Sequence, residues 1–407
     1  MKTKTDNPRV TVTPRGAARL RGGHPWVYRS DVRSTADAEP GSIVTVLDHK
    51  SKPIATALYS SASQIAIRSI SSEAIPSREW LALLRKRIAD AVAFRSRVVQ
   101  DSEGYRVIFS EADFLPGLIV DKYGDYLSLQ ILAQGMDSRD VRNAILGTLV
   151  AELAPAAIFE RIDPRIRELE QMEPRTDSML WSRDGAELPS KTSFQMNGLL
   201  FQFDAVAGQK TGAFLDQREN YAAAARHASG RALDCFTYQG GFALHLNRVC
   251  EQVTAVDISR PALEVGEENW KLNEKAFGKR EIEWIDANAF DLLRDYADRG
   301  EKFDTVVLDP PAFAKSKAAT DKALGGYKEL NLRALKMLKP GGKLITCSCS
   351  FHVSESDFLE MLGAASADAH RPLRILEKRG QSQDHPVLLN VPETHYLKCI
   401  IAEAVWP

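Results

Sequence analysis

The pattern of hydrophobic and polar positions divides the chain into three regions. The first region, residues 1–75, has short apolar runs at 9–13, 42–47, 54–59 and 64–69, separated by glycine and proline. Short apolar runs bounded by turn-forming residues are typical of β-strands. We therefore expect a small β-rich domain here.

The second region, residues 76–192, mixes helical and strand-like patterns. Pro76 and Ser77 open a run in which apolar residues recur at helical spacing up to about Val99. Strand-like runs follow at 105–110, 117–122 and 126–132, then a helical stretch at 139–153 and a strand at 157–161. This region is predicted to be a middle α+β domain.

The third region, residues 193–407, alternates apolar runs with helical segments. The runs lie at 232–236, 252–257, 281–286, 303–308 and 343–349. Several are apolar without alternation, as strands covered on both faces should be. The region is predicted to form a doubly wound, mostly parallel α/β sheet, with 394–405 as an antiparallel edge strand.

Composition narrows the class of protein. The formal net charge is −1, but residues 1–35 hold eight basic side chains against two acidic ones. That excess suits either phosphate contacts or a solvated basic segment. With no long apolar stretch and no signal-peptide pattern, a cytoplasmic location without a membrane partner is expected. Five scattered cysteines indicate reduced thiols, and no histidine or cysteine spacing predicts a metal site.

Acidic side chains stand at the ends of successive predicted strands. The first strand runs from Asp234 into a turn with Gly240 and Gly241, the second ends in Asp257, and the third ends in Asp286. Ligands of open α/β sheets bind at these strand ends. Asp257 could accept hydrogen bonds from the ribose hydroxyls of a nucleoside cofactor, and Asp286 from an exocyclic amine. The chain lacks the G-x-G-x-x-G loop that a dinucleotide requires, which favours a cofactor without phosphate.

The remaining strand ends carry candidate chemistry. The fourth ends in Asp309–Phe313 and the fifth in Thr346–Ser350, which includes Cys347 and Cys349. Gln217 and Arg218 precede the first strand and lie either in the cleft or in a surface loop. The full set of candidate cofactor residues is Asp234, Phe236, Tyr238, Gly240, Gly241, Asp257, Ile258, Asp286, Ala287, Asp309, Gln217 and Arg218.

Taken together, these motifs resemble those of the class I methyltransferases of large-subunit ribosomal RNA. The matching segments are His24–Tyr28, Asp113–Asp121, Gln209–Gly212, Leu215–Arg218, Phe236–Phe242, Asp309–Phe313, Gly326–Lys328, Ser348–Ser350, Asp384–Pro386 and Pro392–Lys398. The resemblance implies an N-terminal RNA-binding β-barrel (PUA) domain, a middle α+β domain and a Rossmann-like methyltransferase domain. It also implies S-adenosyl-L-methionine as cofactor and ribosomal RNA as partner, and leaves a homodimer open.

The resemblance further implies methylation of cytosine carbon 5 through a covalent cysteine adduct. Cys349 occupies the position of the family's nucleophile, and Cys347 is the alternative because it lies in a T-C-S pattern of related enzymes. Asp309 would act near the pyrimidine N3 edge. In one departure, Ala312 stands where dual-cysteine enzymes have a second cysteine, so another group would remove the carbon 5 proton.

Two other functions remain open from the sequence. Asp309-Pro310-Pro311 is similar to a loop that methylates exocyclic amines, although Phe313 comes one residue late. A purine or amine methyltransferase is therefore one alternative, and a non-catalytic RNA-binding assembly factor is another. Trp26 and Tyr28 would either stack on RNA bases or belong to the barrel core.

Overall fold

The computed structural model describes residues 6–185, 191–204, 214–278, 280–314 and 316–405. It forms two compact units. The first comprises the described residues up to Thr192, with Asp204 and Gln383–Thr394. The second comprises Ser193–Phe203, the described residues from Phe214 to Ser382, and those from His395 onward. Within the described ranges, no helix is both long and apolar enough to cross a membrane.

The first unit begins with a six-stranded sheet. Its elements are β1 (Arg9–Val12), α1 (Pro14–Arg21), β2 (Trp26–Tyr28), β3 (Val32–Ser34), β4 (Ile43–Leu47), β5 (Pro53–Tyr59) and β6 (Ile65–Ser71). The strand order is β2-β6-β5-β4-β1-β3, with only β1 and β4 parallel. The four predicted strands are confirmed. Helix α1 was missed, although Thr13 caps it by accepting a hydrogen bond from the Gly16 amide at 3.1 Å and Pro14 opens it.

A second sheet completes the first unit. Its elements are α2 (Ser77–Val98), β7 (Gly104–Phe109), β8 (Leu118–Tyr123), β9 (Tyr126–Ile131), α3 (Arg139–Leu153), β10 (Ala157–Glu160), α4 (Pro164–Leu169) and β11 (Met179–Ser182). The strand order is β11-β10-β9-β8-β7. Helices α2 and α3 bury apolar side chains such as Leu84, Ile88 and Ile145 against it. The predicted middle α+β pattern is confirmed, whereas the domain boundaries at 75 and 192 stay predictions.

The second unit is built around a seven-stranded sheet. Its elements, with a preceding hairpin, are β12 (Thr192–Met196), β13 (Leu199–Phe203), α5 (Arg218–His227), β14 (Arg231–Cys235), α6 (Gly241–Asn247), β15 (Gln252–Asp257), α7 (Arg260–Leu272), α8 (Glu274–Phe277), β16 (Ile282–Asp286), α9 (Ala289–Asp298), β17 (Phe303–Leu308), α10 (Thr320–Met337), β18 (Leu338–Ser348), α11 (Glu355–Asp368), β19 (Leu373–Arg379) and β20 (Lys398–Ala404). The order is β16-β15-β14-β17-β18-β20-β19. The five strands from β14 to β18 are parallel, which confirms the predicted doubly wound α/β class.

The position predicted for the last strand is wrong in one respect. Strand β20 is antiparallel to β18, as expected, but β19 pairs with its other side, so β20 is internal and β19 forms the edge. Strand β19 is rich in charged residues and mostly half-buried or exposed, which is normal for an edge strand and hides it from an apolar pattern. The internal position of β20 brings its first residue, Lys398, opposite Ser348 of β18.

Candidate active site

The turn after β14 is held in an unusual backbone conformation. Phe236, Tyr238 and Gly240 have φ angles of 66°, 52° and 85°. A non-glycine residue in this left-handed conformation costs about 1 kcal/mol or more, so contacts with neighbouring residues must hold the backbone there. The amide of Thr237 donates to the carbonyl of Val256 at 3.0 Å, and the amide of Tyr238 donates to Asp257. The turn is thereby fastened to the neighbouring strand end.

The two glycines of this turn are required by aromatic packing. A Cβ atom on Gly240 would lie 2.9 Å from the ring of Trp284, and one on Gly241 would lie 2.5 Å from the ring of Tyr221. Both distances are shorter than a carbon–carbon contact allows. The aromatic side chains of the protein itself therefore already require glycine at both positions.

Asp257 presents a carboxylate at the end of β15. Its Oδ2 accepts the amide of Tyr238 at 2.9 Å and its Oδ1 accepts the amide of Ser259 at 2.9 Å. A carboxylate offers about four acceptor sites, so each oxygen can accept one further hydrogen bond. Asp257 is only half-buried. The arrangement fits two ribose hydroxyls.

The neighbouring strand end extends this surface. Asp286 of β16 lies opposite Asp257 in the register and is exposed, and the amide of Ala287 donates to the carbonyl of Asp257 at 3.1 Å. Ile258 is 70% exposed beside them. An exposed isoleucine next to two carboxylates provides an apolar surface for the flat ring of a nucleoside.

Asp234 differs from these two carboxylates because it is fully buried. Its Oδ2 accepts the hydroxyl of Thr237 at 2.6 Å. Burial raises its pKa to about 7, against the opposing effects of Thr237 and the Ala243 amide. Its position beneath the turn indicates that it fixes the turn from inside the unit.

Asp309, which follows β17, is held by a buried glutamine. Gln217 donates from Nε2 to Asp309 Oδ1 at 2.9 Å and accepts the side-chain amide of Asn220 at 2.7 Å. Burial, and then the neighbouring Asp216 and Asp234, raise the pKa of Asp309 to about 8. Asp309 is therefore mostly protonated at neutral pH and can donate a proton from its other oxygen.

The interpretation of Gln217 and Arg218 as a surface loop is wrong, because both side chains are only 3% exposed. The carbonyl of Arg218 accepts the side-chain amide of Asn197 at 2.7 Å, and its guanidinium lies 3.3 Å from Glu219. Both residues belong to the packed interior of the second unit, and Gln217 faces Asp309.

The two candidate thiols have different environments. Cys347 is fully buried on β18, directly opposite Cys399 of β20, and burial raises its pKa well above the usual value. Cys349 follows the end of the strand and is partly exposed, with Sγ 4.0 Å from the carbonyl oxygen of Pro310. Burial, and then Asp309 and Asp216, raise its pKa to about 11. Only Cys349 of this pair can be reached from outside.

A hydrogen-bond chain that the sequence did not reveal fixes the residues on both sides of Cys349. The hydroxyl of Ser348 donates to that of Tyr327 at 3.0 Å, which lies 3.0 Å from the hydroxyl of Ser350. The amide of Ala314, in the loop after β17, donates to Ser350 at 3.1 Å. Tyr327 thereby links the turn that contains Cys349 to the loop that begins at Asp309.

Three further side chains approach this centre. The hydroxyl of Tyr396 donates to Asp216 at 2.7 Å. The amino group of Lys398 donates to the carbonyls of Ser350 at 2.7 Å and Tyr396 at 2.9 Å. Both Asp216 and Lys398 lie in matched motifs, but motif position alone gave them no role.

In the first unit, most of the predicted RNA contacts have internal partners. The indole N–H of Trp26 donates to Glu111 at 2.8 Å, and the guanidinium of Arg19 lies 4.6 Å from the ring centre of Tyr28. Arg15 pairs with Asp31 and Arg21 with Asp48. Two of the eight basic residues of the N-terminal segment, Lys2 and Lys4, and the matching segment Gln209–Gly212 lie outside the described residues.

Comparison with known families gives two matches. Residues 10–72 match the family described as PUA-like domain, and residues 151–391 match the S-adenosylmethionine-dependent methyltransferases. The chain is similar in fold to SMU.776, whose crystal structure is a complex with SAH, with a TM-score of 0.80 at 17% identity over 97% of this chain and 100% of that one.

Curated relatives extend the comparison along the chain. The protein called ribosomal RNA large subunit methyltransferase I from Photobacterium profundum is 36% identical over 389 residues, which cover 93% of this chain and 95% of the relative. The protein of the same name from Klebsiella pneumoniae is 36% identical over 399 residues, covering 96% and 97%.

Proposed function

Since this chain belongs to the S-adenosylmethionine-dependent methyltransferase family that includes ribosomal RNA large subunit methyltransferase I, we propose that it methylates carbon 5 of a cytosine in large-subunit ribosomal RNA. The observation that carries the proposal is a partly exposed thiol, Cys349, beside a carboxyl group, Asp309, whose pKa burial raises to about 8. Covalent activation of a pyrimidine needs both groups.

The strand-end carboxylates would hold the cofactor. S-adenosylmethionine, when bound, supplies an electrophilic methyl group. Asp257 would accept hydrogen bonds from the two ribose hydroxyls, and Asp286 from the adenine amine. Ile258 and Ala287 would cover the ring, and the turn from Phe236 to Gly241 would follow the rest of the molecule. No glycine-rich phosphate loop is needed for such a cofactor.

The chain's own groups can then activate the base. The thiolate of Cys349 donates an electron pair to carbon 6 of the cytosine, and Asp309 gives its proton to N3. The new carbon–sulfur bond turns carbon 5 into an enamine carbon, which is nucleophilic enough to take the methyl group. Without the proton at N3, negative charge would accumulate on the ring and addition would be slower.

Release of the product requires a base, since Ala312 replaces the second cysteine of related enzymes. We assign this role to Asp216, the second carboxylate that acts on Cys349 together with Asp309. Asp216 would remove the proton from carbon 5. The carbon–sulfur bond then breaks, the electron pair returns to sulfur, and the N3 proton returns to Asp309.

The test compares two cysteine variants. Cys349→Ala is expected to abolish methyl transfer from labelled cofactor to deproteinised large-subunit RNA, whereas Cys347→Ala, which shortens a buried neighbour, should retain it. Nucleoside mass spectrometry should identify the product as 5-methylcytidine. Full activity of Cys349→Ala would refute the covalent mechanism. Methylated guanine or adenine would instead establish the alternative of a purine or amine methyltransferase.

A further inference from the structure

Lys398 is a buried lysine that the proposed reaction leaves without a role. It is 4% exposed, and its amino group donates to the two backbone carbonyls described above. Among the described residues, no carboxylate lies within ion-pair distance of it; the charge that acts on it is that of Cys349. Burying an ammonium group without a carboxylate partner is costly. A purely structural link to two carbonyls would not require a charge.

The position of Lys398 connects it to the nucleophile candidate. One of its acceptors is the carbonyl of Ser350, the residue directly after Cys349, and Lys398 itself lies opposite Ser348, the residue directly before it. The amino group is therefore bound to the turn that carries the sulfur. It approaches from β20, the strand whose internal position the sequence did not predict.

The other charged and titratable groups around Cys349 would oppose its ionisation. Asp309 after β17 and Asp216 before α5 both raise the pKa of the thiol, and Tyr327 of α10 is a neutral phenol. Lys398 is the cation that acts in the opposite direction. Among the charged side chains that act on this thiol, Lys398 is the positive one, and it acts together with the backbone amide of Cys349.

We propose that the ammonium group of Lys398 is the counter-charge that stabilises the thiolate of Cys349 and holds the turn that carries it. When the thiolate forms, the S–H bond breaks, the electron pair stays on sulfur, and the proton passes to solvent; Lys398 keeps its three N–H bonds. Lys398 is a positioning residue, since it acts on sulfur and not on the base. Its importance for catalysis rests on the proposed function, but its effect on the thiol is expected in the protein without RNA or cofactor.

The charge on Lys398 defines a pH window. Burial lowers its pKa to about 8, with Cys349 opposing the shift. The stabilising charge is therefore present at neutral pH and is lost as the pH rises above about 8. An arginine at this position would keep its charge throughout that range.

The experiment measures how fast iodoacetamide alkylates Cys349, from about pH 6 to about pH 10, in the full chain without RNA or cofactor. Peptide mass spectrometry separates Cys349 from the other cysteines. The variants are Lys398→Met, Lys398→Arg and, as a matched control, Lys343→Met. Lys343 lies on β18 six residues before Cys349 and pairs with Glu403 at 3.1 Å.

We expect Lys398→Met to slow alkylation about tenfold below pH 8, since a nearby opposite charge shifts a pKa by about one unit or more. Lys398→Arg should match the unmodified chain below pH 8 and exceed it above, and Lys343→Met should change nothing. Equal rates for Lys398→Met and the unmodified chain, with the same circular dichroism, would overturn the proposal. If Lys398→Met does not fold, the alkylation rates of Lys398→Arg and the unmodified chain above pH 8 test the proposal, and equal rates would overturn it.

Methyl transfer is measured separately, so that the two proposals fail independently. If the alkylation rates change as expected but Cys349→Ala still methylates RNA, the proposed function is wrong and the role of Lys398 toward sulfur stands. If Cys349→Ala is inactive but alkylation ignores Lys398, the proposed function stands and this inference is wrong.

Discussion

At the scale of single residues, identical side chains acquire different chemistry from their surroundings. Cys347 and Cys349 are two apart, and side chains two apart on a strand face the same way, so strand geometry could not separate them; only the resemblance favoured Cys349. The structure ends β18 at Ser348, which leaves Cys347 inside the sheet and Cys349 in the turn beyond it. The sequence placed both thiols at the end of this strand. Their difference in exposure depends on where hydrogen bonding between the strands stops, which the sequence does not show.

Asp257 gives a first prediction at this scale. Asp257→Ala removes the two carboxylate oxygens proposed to accept the ribose hydroxyls, and hydrogen bonds to charged groups contribute about 1.5–3 kcal/mol each. Affinity for S-adenosylmethionine, measured by calorimetric titration, is expected to fall at least about a hundredfold. Asp291→Ala on α9 is the control, because that side chain is exposed and its loss should leave the affinity unchanged. Unchanged binding by Asp257→Ala would remove Asp257 from the cofactor site.

Asp216 gives a second prediction, which separates its role from that of Asp309. Asp216→Asn removes the proposed base but keeps an acceptor for the Tyr396 hydroxyl, so the covalent adduct should form and then persist. Denaturing gels should reveal RNA linked to the protein in the presence of cofactor, and the linkage should disappear in the Asp216→Asn, Cys349→Ala double variant. Normal turnover without accumulated adduct would assign the carbon 5 proton to another group.

At the scale of elements, the apolar pattern predicted buried strands well and polar ones poorly. The parallel strands β15 and β17 match their predicted bounds because both faces are covered, so that Val253–Val256 and Thr305–Leu308 are buried without interruption. Strand β19 has only one paired side and a charged sequence, and helix α1 carries three arginines, so neither produces an apolar run. Capping residues were the available signal for α1, whereas β19 depends on pairing with β20.

The turn after β14 allows a prediction about one element. Gly241→Ala places a Cβ atom 2.5 Å from the ring of buried Tyr221, and overpacking of this kind costs about 1–3 kcal/mol. Thermal unfolding should move to lower temperature and cofactor binding should weaken, because the turn shifts. Gly363→Ala inside α11 is the matched control. Apart from its chain neighbours and the backbone of its own helix, no atom of the described residues lies within 4 Å of its Cβ position, so the variant should be neutral or more stable. Equal stability of the two variants would contradict the packing argument.

At the scale of the whole molecule, long-range contacts join regions that the sequence presents as separate. The first two predicted regions form one compact unit, in which the Glu170 carboxylate accepts hydrogen bonds from Ser60 at 2.9 Å and Arg68 at 3.1 Å. These partners are about a hundred residues apart in sequence, so no local pattern could place them together. The candidate site is likewise assembled from residues far apart in sequence, because Tyr396 and Lys398 follow the other residues of the site whereas Asp216 precedes the first strand of the sheet.

The raised pKa of Asp309 carries a consequence for the stability of the second unit. A carboxyl group whose pKa is about 8 when folded and about 4 when unfolded favours the folded state while it is protonated. Stability from this group is therefore fully present below about pH 4 and is lost progressively until about pH 8. Asn at position 309 resembles the protonated acid and keeps the acceptor for Gln217. Asp309→Asn should thus raise the free energy of unfolding at pH 8, by about 2 kcal/mol because Asp309 is not fully buried, while methyl transfer is lost.

Asp304 of β17 provides the opposite case. Burial raises its pKa, but Lys339 and the Arg231 amide hold that pKa below the usual range, so Asp304→Asn should destabilise the protein at pH 8. Chemical denaturation at pH 5 and pH 8, roughly the two ends of the range over which the Asp309 contribution is lost, should show changes of opposite sign in the free energy of unfolding for the two variants at the higher pH. Loss of stability in both variants would mean that Asp309 is ionised in the folded protein, and that the proton needed at N3 of the base comes from elsewhere.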